Sequence, residues 1–181
     1  KAWCASDDSV NKKGEKPSKT DLPVEMVATP NVFSIEDMEK FFDESPKMFI
    51  KALIYRVINS SLDMTGANGA DKWKRVKDPA GDYYPLSYVC VLIRADLDEA
   101  KLAATLKASE VVLAEAEEVL EYAGAPHGFV GPITAKCPLV VDYSVVKDGE
   151  AQMHDAIAGS GKDGYHITHV EPLRDFVPYI N

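Results

Sequence analysis

Apolar residues recur along this chain at two different periods. Ile35, Met38, Phe41 and Phe42 fall at helical spacing behind Ser34, and Asp37 stands three residues beyond that cap, which predicts a short amphipathic helix over 34–43. Ser45-Pro46 stops it, because the residue before a proline is pushed out of helical geometry. Met48 to Ile58 is apolar on both faces and rich in β-branched and aromatic types, the pattern of a central strand. Residues 59–84 carry Gly, Asn, Asp, Ser and charge with little periodicity, and read as a long connection to a second strand, Leu86 to Arg94. Asp96-Leu-Asp98 caps a following helix through Leu102 and Leu106. Periodicity alone allows one helix over Ser109 to Tyr122. The β-rich Val111-Val112-Leu113 instead predicts a strand over 110–114, with a helix over 115–123 opening on the acidic run from Glu115 to Glu118. A strand over 138–142, a glycine-rich turn from Ala158 to His166 and a last strand over 165–170 complete an α+β pattern: a mixed, largely antiparallel central sheet with helices packed outside.

Two features break this pattern in ways that suggest a site. Lys51 interrupts the first strand between Ile50 and Ala52, a costly place for an ammonium unless it has a partner or reaches a cleft. A stem snorkelling at the strand's edge is the bland alternative. The run from His127 to Asp142 places Gly128, Gly131 and Pro132 in a turn that feeds an apolar strand ending on a carboxylate. Glycines without a Cβ let a ligand approach their amides closely, and Pro132 fixes the exit direction. Gly128→Val is therefore expected to block a ligand while leaving the fold largely intact.

Composition narrows the classes. The 181 residues with 46% hydrophobic content suit one domain with a single core. Residues 1–23 are rich in Lys, Ser, Asp and Pro around a lone Trp3, and read as a mobile linker or tail ahead of a folded unit over 24–181. The lysines 12, 13, 16 and 19 in it are interleaved with acids, the usual make-up of a solvated run. No apolar run nears the roughly 20 residues that cross a bilayer, and no signal peptide opens the chain, so a cytoplasmic protein without membrane contact is expected. Cys4, Cys90 and Cys137 are odd in number and lack metal-type spacing, so neither disulfides nor a metal centre is expected. A net charge of −9 argues against a free-standing DNA or RNA binder, whose affinity rests on phosphate neutralisation; contact with RNA should be local or tethered. Trp73 among Lys72, Lys74, Arg75 and Lys77 is a weak candidate for stacking on a base. The chain starts at Lys1 and stops soon after Asp-Phe-Val-Pro, which reads as a piece of a larger protein.

Elimination leaves little conventional catalysis. No Gly-x-Ser-x-Gly elbow is present, Cys137 lacks a basic neighbour in sequence, and no His-Glu-x-x-His occurs. Gly159-Ser-Gly-Lys-Asp is not a phosphate-binding loop, because no Ser or Thr follows the lysine. What remains is a cleft where glycine amides could stabilise an oxyanion, with Lys51, Asp142 and His166 around it.

From Thr29 to about Asp175 the chain resembles the insertion (editing) domain of bacterial-type prolyl-tRNA synthetase, within the wider family of prolyl-tRNA editing deacylases. The residues that carry the resemblance are Thr29-Pro-Asn31, Lys51-Ala-Leu-Ile54, Leu92-Ile-Arg-Ala-Asp96, Gly128-Phe-Val-Gly-Pro132, Leu139-Val-Val-Asp142, Ala158 through His166, and Arg174-Asp175. The resemblance implies hydrolysis of the ester joining a wrongly attached alanine to tRNA-Pro, without metal or other cofactor; the parent synthetase would use ATP and Mg. It implies that Lys51 and His166 are catalytic, Lys51 lying near the terminal adenosine and its phosphate. Gly128, Gly131, Pro132 and Asp142 would line the aminoacyl pocket, with Thr29 at its rim. Expected partners are the acceptor end of tRNA-Pro carrying a small amino acid and the rest of the synthetase in the same chain. A deacylase for cysteinyl-tRNA-Pro, or a non-catalytic binding module on the same fold, stays open.

Overall fold

The computed structural model describes residues 12–14 and 17–181. Trp3, Cys4, Lys16 and most of the tail read over 1–23 lie outside the described residues. Where that segment is described it is tied down: Thr20 donates its amide to Glu171 (2.9 Å), and its carbonyl accepts from Arg174 (2.9 Å).

A long strand, β2 (Phe49–Ile58), is the axis of the molecule. It pairs antiparallel with β3 (Tyr88–Ile93) along one edge. The other edge is shared: β8 (Ala156–Gly159) runs parallel beside Phe49 and Ile50, and β4 (Glu110–Leu113) runs antiparallel beside residues 55–58. Beyond β8 lie β9 (Tyr165–Val170) and β1 (Glu25–Ala28), both antiparallel, and beyond β3 lies β5 (Leu139–Val141), parallel. A small separate ribbon joins β6 (Val146–Lys147) to β7 (Glu150–Ala151). The α+β, largely antiparallel expectation matches this sheet.

Three helices pack against it. α1 (Ile35–Phe42) starts at a capping box in which Ser34 and Asp37 satisfy each other's backbone amides. α2 (Glu99–Thr105) is capped by Asp98, and α3 (Ala116–Ala123) by Glu115 with Glu118. Alternation along β2 divides the core. Ile50 and Ile54 join the cluster under α3 with Cys90, Leu92, Val130 and Val141; Tyr55 and Val57 join Leu102 of α2 and Leu106 just beyond it; Phe49 joins Met38 and Ile157 under α1.

Several elements departed from the sequence pattern. β1 and β8 were not anticipated, since the Ala158–His166 stretch read as turn while Ala158 and Gly159 are strand. The connection over 59–84 is packed, with Met64 buried and Trp73 edge-on to Tyr179 (5.0 Å). Asp142 falls just past β5 instead of ending it, its carboxylate accepting from the Ser144 amide (2.8 Å).

Glu171 is buried and takes three donors, the amides of Thr20 and Asp155 (2.9 and 2.8 Å) and Nδ1 of His154 (2.8 Å). Glu171→Ala removes the shared acceptor of three partly buried donors and should cost about 1–3 kcal/mol. Urea unfolding checks this: the midpoint should drop with the slope unchanged.

Candidate functional site

The sheet brings the candidate residues onto one line. Lys51 lies opposite Ile93 of β3, and the β2–β8 ladder, continued one step beyond Ile50–Ala158, sets it level with Gly159. Gly159 is paired with His166 of β9. On the other side, the β3–β5 ladder continued one step beyond Leu92–Val141 sets Asp142 level with Ile93. Lys51 is thus two strands from His166 in one direction and two from Asp142 in the other. Phe42 of α1 meets both Phe49 (6.5 Å) and His166 (6.3 Å), so those two share the α1 face of the sheet; Lys51, two residues after Phe49, projects from the same face.

β2 is open at this point. β8 leaves it after Ile50 and β4 joins it at Tyr55, with Ala114 donating to the Ile54 carbonyl (3.0 Å). Lys51 stands at the fork between the two partners. It is half-buried, and among the described residues its ammonium makes neither an ion pair nor a hydrogen bond.

The 128–132 turn lies against the end of β8. A Cβ on Gly131 would stand 2.1 Å from the Gly159 carbonyl oxygen, and one on Gly159 would stand 2.1 Å from that of Val130. Gly161 donates its amide to Phe129 (2.8 Å), and Pro132 is buried behind the contact. Gly128 has φ +90°, and a Cβ there would meet the Phe33 carbonyl oxygen at 2.9 Å. These glycines let chain approach chain. That corrects the expectation for Gly128→Val: backbone, not a ligand, occupies the space beside Gly128, so the substitution would disturb the fold.

His166 and Thr29 also differ from expectation. His166 is 1% exposed, and both ring nitrogens are engaged: Nε2 donates to the Gly128 carbonyl (3.0 Å), which leaves Nδ1 to accept from the Thr29 hydroxyl (2.6 Å). Burial lowers its pKa from the ordinary 6.5, against a smaller upward pull from Gly128. A neutral imidazole with both nitrogens engaged forms a clasp between β9, the 128–132 turn and the segment after β1. Thr29 is fully buried instead of at a rim, its amide bonded to Gly164 (2.8 Å).

Arg94 was passed over in the sequence beyond its place in a motif. It donates to the Lys47 and Ser144 carbonyls (both 3.0 Å), tying the turn after Asp142 to the segment before β2, and burial lowers its pKa while Asp142 opposes that shift. Among the described residues no group of three or more His, Cys, Asp or Glu could hold a metal, and no helix is long and apolar enough to cross a membrane.

The sequence profile of the aminoacyl-tRNA editing domain matches residues 29–176, a span that runs from the buried Thr29 past the Glu171 cluster. The chain belongs to the aminoacyl-tRNA editing domain family. It is similar to proline–tRNA ligases: 41% identical over 181 residues to that of Treponema denticola, 33% over 178 to that of Brachyspira hyodysenteriae and 31% over 176 to that of Thermotoga maritima. These alignments take in 98%, 95% and 95% of this chain but 28%, 25% and 25% of the ligases, so the chain spans about a quarter of the length of these curated relatives. Its fold is shared with the crystal structure of hypothetical protein APE2540 (TM-score 0.51, 20% identity, 81% of this chain and 80% of that one). It is also shared with a protein provisionally named a trans-editing enzyme for prolyl tRNA synthetase (TM-score 0.52, 14% identity, 80% and 74%).

Two outcomes follow for the editing-domain fold. Gly131→Ala should destabilise by about 1–3 kcal/mol in thermal or urea unfolding, since a carbonyl of β8 must move to admit the methyl. His166 stays neutral when folded but protonates near its ordinary pKa when unfolded, so the unfolded chain binds more protons below about pH 6.5. Its contribution is therefore complete above that pH and lost as pH falls through the window beneath it. Comparing wild type with His166→Gln at pH 7.5 and 5, the variant should show the smaller loss of stability on acidification.

Proposed function

We propose that this domain performs post-transfer editing, hydrolysing the ester between a small, wrongly attached amino acid and tRNA-Pro, with alanyl-tRNA-Pro as substrate. The observation that carries the reading is an unpartnered ammonium at an open fork of the sheet, level with a turn held by neighbouring backbone and a fixed histidine. An ammonium in that setting suits a phosphate or 3′-terminal oxygen of the acceptor end, as a charge-assisted donor. The chemistry needs no side-chain nucleophile: water attacks the ester carbonyl, the ribose oxygen leaves with a proton, and free alanine and tRNA result. The amides of Gly128, Val130 and Gly131, which take no partner among the described residues, are suited to the developing oxyanion because the Gly161–Phe129 hydrogen bond and the backbone packed beneath it hold the turn against β8. His166 acts by holding that turn.

Selectivity follows from rigidity. Alanine is smaller than proline, and a pocket walled by close-packed backbone excludes the larger ring by clash, a sieve sharper than the roughly 1–3 kcal/mol a methylene supplies by attraction. The acidic charge of −9 suits a domain that reaches tRNA through a ligase in the same chain, because tethering supplies effective concentration in place of electrostatic affinity.

The test is release of labelled alanine from alanyl-tRNA-Pro and from prolyl-tRNA-Pro, with EDTA present. Wild type should act on the alanyl ester alone, and Lys51→Ala should lower kcat/KM about tenfold to a hundredfold, the worth of a charge-assisted hydrogen bond. Undiminished turnover by Lys51→Ala would remove the lysine from the reaction.

A further inference from the structure

Trp73, the aromatic residue that the sequence offers as a base-stacking candidate, is half-buried and already edge-on to Tyr179. A different aromatic stands at the site. Phe33 is 63% exposed, an unusual position for a phenyl ring on a structured segment. It is also held firmly. Its amide donates to the Asp37 carboxylate (3.2 Å) within the α1 capping box, its carbonyl abuts Gly128, and its ring meets Phe129 edge-to-face at 5.7 Å. Phe129 in turn lies 5.1 Å from the His166 ring. Phe33 thus sits on the solvent side of the same stack of contacts that fixes the 128–132 turn, with most of its surface uncovered.

We propose that Phe33 is the stacking platform for the terminal adenine of the acceptor end. The inference rests on the editing reading and extends it to a subsite: once the ester lies against the 128–132 turn, the nucleobase on the same ribose must lie within a few ångströms of it, and Phe33 is the exposed ring anchored to that turn. A fixed ring loses little conformational freedom when a base lands on it, so stacking there contributes to substrate binding without contributing to the chemical step.

The experiment has two readouts on the 181-residue chain. With alanyl-tRNA-Pro, Phe33→Ala should raise KM about tenfold to a hundredfold at nearly unchanged kcat. Phe33→Trp should restore it and Phe33→Leu should not. Fluorescence anisotropy with labelled RNA oligonucleotides ending in CCA or in CC followed by an abasic ribose tests the platform apart from hydrolysis: wild type should prefer the CCA end, and Phe33→Ala should bind both equally. A preference for CCA that survives in Phe33→Ala overturns the platform, as does full rescue by leucine. Loss of the preference in Phe33→Ala, together with a wild-type chain that shows the preference but releases no alanine, keeps the platform and overturns the deacylase reading.

Discussion

Backbone lies on backbone where residues 129–131 meet Gly159 and Gly161, and the remainder of the site depends on that contact. With side-chain atoms excluded on both segments, the turn has no room to shift towards β8 and no Cβ to hold it away. The Gly161 amide bonds to Phe129 and the His166 imidazole to Gly128, so the contact is fastened at both ends. Close-packed contacts of this kind have no soft direction, because displacement by a few tenths of an ångström meets repulsion. A turn so confined is suited to present amides at fixed positions, the property an oxyanion site requires.

The same contact explains the form of β2. β8 is drawn away from β2 to receive the turn, and the strand that replaces it, β4, does not begin until Tyr55. The gap falls where Lys51 lies. A lysine in the middle of a sheet is ordinarily disfavoured, and here it is placed at the one interruption of the β2 edge, where its ammonium reaches the α1 face without an internal carboxylate to neutralise it. Had Asp142 been within ion-pair reach, the charge would have been spent on the fold. Asp142 is instead two strands away, turned into its own loop by the Ser144 amide, with Arg94 as the nearby cation.

Much of this was legible in the sequence, and what was not has definite physical causes. The helices were found because Ser34, Asp98 and Glu115 mark their starts by capping, a local interaction. β2 and β3 declared themselves by long apolar runs, and β9 by apolar residues alternating with histidine and threonine after a glycine-rich turn. β8 did not, because Ala156-Ile-Ala-Gly159 is short and ends on a glycine whose reason for being there, the Val130 carbonyl, lies about thirty residues away in the chain. β1 was equally hidden: four residues, mostly exposed, that become a strand by pairing with β9. Lys51 was visible as an anomaly of pattern. The engagement of both His166 nitrogens was not, since its partners Thr29 and Gly128 come from segments far apart in sequence, and nothing local to Tyr165-His166-Ile167 distinguishes a clasp from a general base.

That distinction changes how the site is understood. A histidine acting as general base must expose a nitrogen to water and keep its pKa near the working pH. His166 exposes no nitrogen: it is buried, a hydroxyl and a carbonyl occupy its two nitrogens, and desolvation lowers its pKa. Protonating it would put the ring's second hydrogen on Nδ1, facing Thr29, whose hydroxyl would have to turn its own hydrogen elsewhere. The nearest acceptor on that side is the Gly164 carbonyl, 3.4 Å from the hydroxyl and already taking the Thr29 amide. The neutral tautomer is thus selected by the surroundings, and in that form it ties the 128–132 turn to β9. On the proposed editing reading, rate would come from geometry supplied by backbone, with Lys51 as the free ammonium of the candidate set, and specificity from the same rigidity that denies the walls any means of widening for a larger residue.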